Sequence, residues 1–199
     1  MFVIMRTIGL VLVGIIVVSA SWSQDKPVES RLPLKEEQLS VYRRFLDKFS
    51  SLHFRNLAIR TVPLDFEGFP AGRPCLRGID LENLDESLHT THIFGPGIAK
   101  GAELRLVTPV EQEELLQRRE SSTDKRNEKL GDDVHKPFSE LDYLVLSEIA
   151  FDSKHRFAIL KYLLVCGQHC VSGATLVMER VDGTWTVSSR RPCALFVGN

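Results

Sequence analysis

Cys166-Gly167-Gln168-His169-Cys170 is the stretch of this chain whose residue types most invite a chemical reading. Two sulfurs and an imidazole within five positions could form a redox dithiol, a disulfide or part of a zinc site. A redox dithiol needs one thiolate stabilised, commonly at a helix start and in a C-x-x-C spacing. Here three residues separate the cysteines and strand-like sequence flanks them, so no helix dipole is at hand. A zinc site on Cys166, His169 and Cys170 would need reduced thiols and a fourth ligand. The spacing is therefore read as a structural disulfide closing a short turn between two strand ends.

Other candidates are weighed in the same way. His89-Thr90-Thr91-His92 holds two imidazoles three positions apart, which could share a metal on one helical turn. No carboxylate or third histidine stands beside them to complete a shell, and Gly95-Pro96-Gly97 follows, so a loop or helix end is expected. Gly95 to Gly101 contains the glycines and lysine of a phosphate loop without the G-x-G-x-x-G spacing or a hydroxyl residue after Lys100, and is read as a connector. Glu148 would be a candidate general acid or base if it faced an apolar interior, where desolvation raises a carboxyl pKa. Val145, Ser147, Ile149 and Phe151 alternate opposite it, so the expectation is a solvent-facing glutamate. Trp185 with Val187 is read as core packing. No nucleophile elbow, H-E-x-x-H helix or Walker loop occurs. No residue is assigned a catalytic, metal-binding or cofactor-binding role, and no cofactor is expected.

The remaining cysteines follow from the compartment. One cation, Arg6, precedes an uncharged run to Gln24, with small residues at Ser19, Ala20, Ser21 and Ser23. That order predicts a secretory signal over residues 1–23, cut after Ser23 or Ser21. Left uncut, it would be the chain's membrane contact, since about 18 apolar residues is the lower limit for a span. In an exported chain an even set of cysteines favours disulfides. Cys75, Cys166, Cys170 and Cys193 allow three pairings, of which Cys166–Cys170 with Cys75–Cys193 is preferred. With 25 Lys+Arg against 26 Asp+Glu, the surface offers no field for nucleic acid.

The elements that position these groups read as one α+β domain over residues 33–199, after a flexible tail at 24–32. Leu39, Tyr42, Phe45, Leu46, Phe49 and Leu52 recur at helical spacing, which predicts a long helix from about Leu34 to Leu52. Leu57, Ile59 and Thr61 alternate in a strand ended by Pro63, Asp80–Leu88 could form a short helix, and Glu103–Val107 a brief strand. Thr108-Pro109-Val110-Glu111 is a capping box with proline at the first helical position, so a helix should run from Pro109 to about Glu120. Residues 121–136 are dense in charge and poor in apolar side chains, and predict a mobile loop. Four strands should follow: Tyr143–Phe151, Arg156–Val165, Ala174–Val181 and Thr184–Ser189. Asp182-Gly183 marks a two-residue hairpin, and Phe157–Val165 is apolar on both faces, as in a central strand. The architecture expected is one long helix packed on an antiparallel β-meander of about four strands.

Leu146-Ser147-Glu148-Ile149-Ala150-Phe151, the Cys166–Cys170 turn with Gly173, and Asp182-Gly183-Thr184-Trp185-Thr186-Val187 together resemble a recurring pattern in exported bacterial proteins of uncharacterised function. The resemblance covers about residues 143–197 and implies a fold, with no site. A helix followed by a curved antiparallel meander is also similar to the cystatin-like, NTF2-like architecture, which implies a small-molecule pocket between helix and sheet. The functional expectation is an exported domain of the periplasm or the extracellular space that binds a protein or a small apolar ligand without catalysis. Two alternatives stand beside it. One is a pocket-type hydrolase or isomerase using Glu148 with His155 or His169; the other is a structural envelope component.

Overall fold

The structure is a computed structural model and describes residues 28–30, 33–49, 55–66, 74–82, 84–99, 104–127, 140–167, 170–190 and 192–198. The expected signal at 1–23 and most of the expected tail at 24–32 lie outside the described residues, as do Gln168 and His169.

The apolar stripe near the start forms helix α1, Glu36–Phe49, with Val41, Tyr42, Phe45 and Leu46 buried. Its first turn is capped by Gln38, whose Oε1 accepts the Lys35 backbone N–H at 2.9 Å, the reach-back half of a capping box. Glu36 and Glu37 meet the positive end of its dipole. Strand β2, Asn56–Ala58, is followed by the short helix α2, Leu84–His89, and by strand β4, Arg105–Val107. Strands β1, Val28–Glu29, and β3, Thr90–Thr91, make a separate parallel pair.

Helix α3 begins at Pro109 as its capping box requires: Thr108 N–H donates to Glu111 Oε2 at 2.7 Å and Glu111 N–H donates to Thr108 Oγ1 at 3.3 Å. It runs to Asn127, so residues 121–127 are helical where a loop was expected, and the rest of that charged segment to 136 lies outside the described residues. Weak apolar content did not end the helix, because this stretch carries no proline or glycine and helical propensity with i,i+4 pairs such as Glu114–Arg118 carries it on.

The last third forms β5 (Tyr143–Leu146), β6 (Ala150–Phe151), β7 (Phe157–Gly167), β8 (Cys170–Val181), β9 (Thr184–Val187) and β10 (Ala194–Gly198). The Asp182-Gly183 hairpin takes the positive φ values, 48° and 77°, that a type I′ turn demands. The sheet order is β10-β8-β7-β5-β2-β4, with β6 on β7 and β9 on β8. The pairs β5–β7, β7–β8, β8–β9 and β8–β10 are antiparallel, whereas β2 runs parallel to both β4 and β5.

The α+β class stands, but the expectation of one long helix on an antiparallel meander of four strands is corrected to several helices and a mixed sheet of eight strands. The parallel pairs join segments from the two halves of the chain, and such pairing leaves no mark in local sequence. α3 supplies the long crossover that two parallel strands flanking β2 require.

Side-chain alternation along β7 divides the core. Ala158, Leu160 and Leu164 face α1 together with Tyr42, Phe45 and Leu46. Ile159 faces the opposite way, toward Leu64 and the Cys75–Cys193 bridge, and Val165 joins Leu115 of α3. A Cβ at Gly173 in β8 would lie 2.0 Å from the carbonyl oxygen of Tyr162, so the β7–β8 approach at that point tolerates only glycine.

Candidate functional site

Two groups of polar side chains stand out, one enclosed beneath α1 and one on the rim at its start. The enclosed group arises from a break in the strand run that was expected to continue from Tyr143 to Phe151. β5 stops at Leu146 and β6 begins at Ala150, so Ser147, Glu148 and Ile149 leave the regular alternation. Their backbone is held on both sides: Ser147 N–H donates to Lys161 O at 2.8 Å and Glu148 N–H to Val62 O at 2.7 Å. The break turns Glu148 inward, where it is 2 % exposed, which corrects the expectation of a solvent-facing glutamate.

Inside, Glu148 Oε1 accepts the Thr61 hydroxyl and lies 3.0 Å from His92 Nδ1. A carboxylate acceptor assigns the ring proton to Nδ1. The backbone N–H of His92 in turn donates to Thr61 Oγ1 at 2.7 Å. Tyr42 reaches down from α1 and donates to Ser147 O at 2.7 Å, with its ring edge-on to Phe94 at 5.0 Å between centroids. Burial, and secondarily the charge of Glu148, hold the Tyr42 phenol well above its ordinary value. The charge of Glu148 is thus met by a hydroxyl and an imidazole, as an interior carboxylate requires. In chemical terms, a carboxylate holds a histidine in a defined tautomer, which is the positioning half of general-base catalysis. The group is enclosed: Thr61 is 2 %, His92 6 % and Tyr42 0 % exposed.

The rim group is built from three segments that meet at the start of α1. Glu82 N–H donates to Phe151 O at 2.9 Å and Ser153 N–H to Asp80 O at 2.9 Å, which lays the turn after β6 against the segment before α2. In that turn His155 adopts φ 49°, a left-handed conformation uncommon outside glycine. Its ring stacks on Phe151 at 5.2 Å, and its Nδ1 lies 2.6 Å from Glu37 Oε2 and its Nε2 3.7 Å from Glu82 Oε2. Glu37 also receives Arg180 at 3.4 Å. Between these segments opens a cleft of about 260 Å³ lined by Lys35, Glu37, Gln38, Glu82, Glu86, Phe151 and His155.

Measured against the expectations, both cysteine pairs come together as preferred, Cys75 with Cys193 at a Cα separation of 5.2 Å and Cys166 with Cys170 at 5.0 Å. Trp185 is core, packed on Phe151 at 5.8 Å and covered by α1 through an Arg44 Nε–H bond to its carbonyl. Gly95 to Ala99 is a connector with one 3₁₀ turn. His89 ends α2 and is exposed beside Asp85, while its neighbour His92 goes inside, so the two imidazoles are not brought to one site. Glu148 finds His92 where His155 or His169 was considered. His155 belongs to the rim, and His169 lies outside the described residues. The inward turn of Thr61, in phase with Leu57, is the sequence signal that points toward the enclosed group. Among the described residues, no three His, Cys, Asp or Glu side chains are arranged to hold a metal ion, and no helix is long and apolar enough to cross a membrane. No protein-family model, no curated protein and no solved structure matches the chain.

Proposed function

We propose that this protein is an exported, disulfide-bonded domain that acts by binding rather than by catalysis. The observation that carries the reading is the contrast between its two polar groups: the acid–base pair is enclosed under Tyr42 and Phe94, while the group at the rim lines a cleft open to solvent. Small-molecule sites are concave with convergent polar groups; the cleft, at about 260 Å³, lies just below their usual size range and gathers polar and charged side chains around Phe151. The space between α1 and the sheet, where an apolar ligand was expected, is occupied by Tyr42, Phe45, Leu46, Leu144 and Leu164. Binding at the rim therefore replaces the pocket between helix and sheet. The two cysteine pairs, and the likeness of residues 143–197 to exported bacterial proteins, support an oxidising compartment such as a periplasm or the extracellular space.

Two measurements test this. The mass of the protein recovered from its native compartment, with and without reductant, reports signal removal and thiol count together; a full-length cytosolic chain with four free thiols removes the exported reading. A thermal-shift screen against polar and apolar metabolites should find ligands whose stabilisation is weakened by Glu86→Gln, since a bound ligand raises Tm by mass action.

A second reading, an enzyme of the hydrolase or isomerase type, is favoured by the 3.0 Å contact between His92 and Glu148. It requires α1 to lift and admit substrate to the imidazole. Turnover that survives Glu148→Gln unchanged eliminates it.

A further inference from the structure

We infer that the rim cleft takes a small zwitterion, a molecule carrying an ammonium and a carboxylate on a short apolar spacer. The inference rests on the binding reading above and names its ligand class. The lining of the cleft carries both signs of charge, contributed by two different segments. On the α1 side stand Lys35, whose ammonium makes no ion pair among the described residues, and Gln38, at the helix start where the dipole is positive. Gln38 is 8 % exposed, and its Oε1 is spent on the Lys35 backbone N–H. Its Nε2 is left with no hydrogen-bond partner among the described residues, on a side chain that lines the cleft. An amide donor that opens on the cleft and has no such partner can donate to an acceptor from outside.

The other segment contributes Glu82 and Glu86. Glu37 is already engaged by His155 and Arg180, and Glu82 meets His155 only at 3.7 Å. Glu86 has no ion pair among the described residues. Those carboxylates suit an ammonium, and the stacked rings of Phe151 and His155 suit methylene groups. A pure anion would meet Glu82 and Glu86, and a pure cation would meet Lys35 and the helix start. A zwitterion satisfies both signs.

The test is an amide-resonance titration of the exported form with 4-aminobutyrate, butylamine, butyrate and butanol as probes. 4-Aminobutyrate should move the resonances of Phe151, His155 and Glu86 and bind about tenfold more tightly than either half-molecule. Glu86→Gln should weaken 4-aminobutyrate and butylamine about tenfold while leaving butyrate unchanged, and Lys35→Ala should do the converse. Both positions are exposed, so a dispersed spectrum for each variant shows that the fold is kept. Equal binding of the half-molecules, or variants without effect, overturns the inference. Butanol occupying the cleft in their place overturns the zwitterion and leaves the binding reading standing, whereas cleft resonances that no probe moves overturn both.

Discussion

Nδ1 of His92 lies 3.0 Å from Oε1 of Glu148, with 7 % and 2 % of the two side chains exposed and the two residues 56 positions apart in the chain. This pair ties the end of the β2 segment, the connection after β3 and the break between β5 and β6 into one point under α1. Its removal should therefore be felt as stability. His92→Ala leaves an interior carboxylate with the Thr61 hydroxyl, and should cost about 3–5 kcal/mol. Glu148→Gln should cost less, because an amide still accepts from Thr61. The double variant should lose less than the two single losses added together, as residues in one network do. Denaturant midpoints at unchanged m-value measure all three; additive losses would show that the contact carries no coupling.

The tyrosines set the alkaline limit. Burial raises Tyr42, Tyr143 and Tyr162 above the ordinary phenol value of 10.0, aided by Glu148 at Tyr42 and Glu113 at Tyr143. Above that value the unfolded chain releases phenolic protons that the native state still holds. Their stabilisation is thus complete below pH 10 and declines as pH rises toward the raised native values. Phenolate absorbance should appear late and together with loss of near-ultraviolet circular dichroism. A smooth titration of all three near 10.0 in a protein that stays folded would contradict the burial.

Glu111 behaves in the opposite sense. The Thr108 backbone N–H, then the Thr108 hydroxyl and Arg105, lower its carboxyl from 4.5 to about 2. The capping contribution is therefore present above the unfolded value and lost as pH falls toward about 2. A carboxyl-carbon titration should show the depressed midpoint. Thr108→Ala removes the hydroxyl and keeps the backbone N–H, so it should raise the midpoint only part of the way toward 4.5 and increase amide exchange in the first turn of α3, while the sheet stays protected.

The two bridges should differ in weight. Cys75–Cys193 spans 118 residues and pins the segment beside Leu64 to the strand edge at β10, whereas Cys166–Cys170 spans 4. Loop-closure entropy assigns about 5 kcal/mol to the first and about 2 kcal/mol to the second. Cys75→Ala with Cys193→Ala should lower the denaturant midpoint far more than Cys166→Ala with Cys170→Ala; a reversed order would show that the short bridge holds structure beyond its own turn.

Gly173→Ala tests the close approach of β7 and β8. Its Cβ would meet a backbone oxygen that cannot rotate away, so the substitution should prevent a cooperative unfolding transition or cost several kcal/mol, about the upper range of single changes.

Much of the scaffold was legible because its causes lie within a few residues. The capping box at Thr108, the positive-φ turn at Asp182-Gly183, the apolar stripe of α1 and the two-faced apolar run of β7 each carry their own reason, and each stands where that reason puts it. The pairing of cysteines could be preferred on the same ground, since a short turn favours Cys166 with Cys170. What tertiary structure alone decided is whatever depends on distant segments meeting. The parallel pairs of β2 with β4 and β5 are one case, and strand β10 is another, recognisable only against β8. Glu148 shows the reason most directly. Period-two alternation in the sequence puts it on the solvent side, and it faces inward because Val62 and Lys161 capture the backbone at the break while Thr61 and His92 hydrogen-bond the carboxylate there. Those four partners come from elsewhere in the chain, and only the folded molecule brings them to one place.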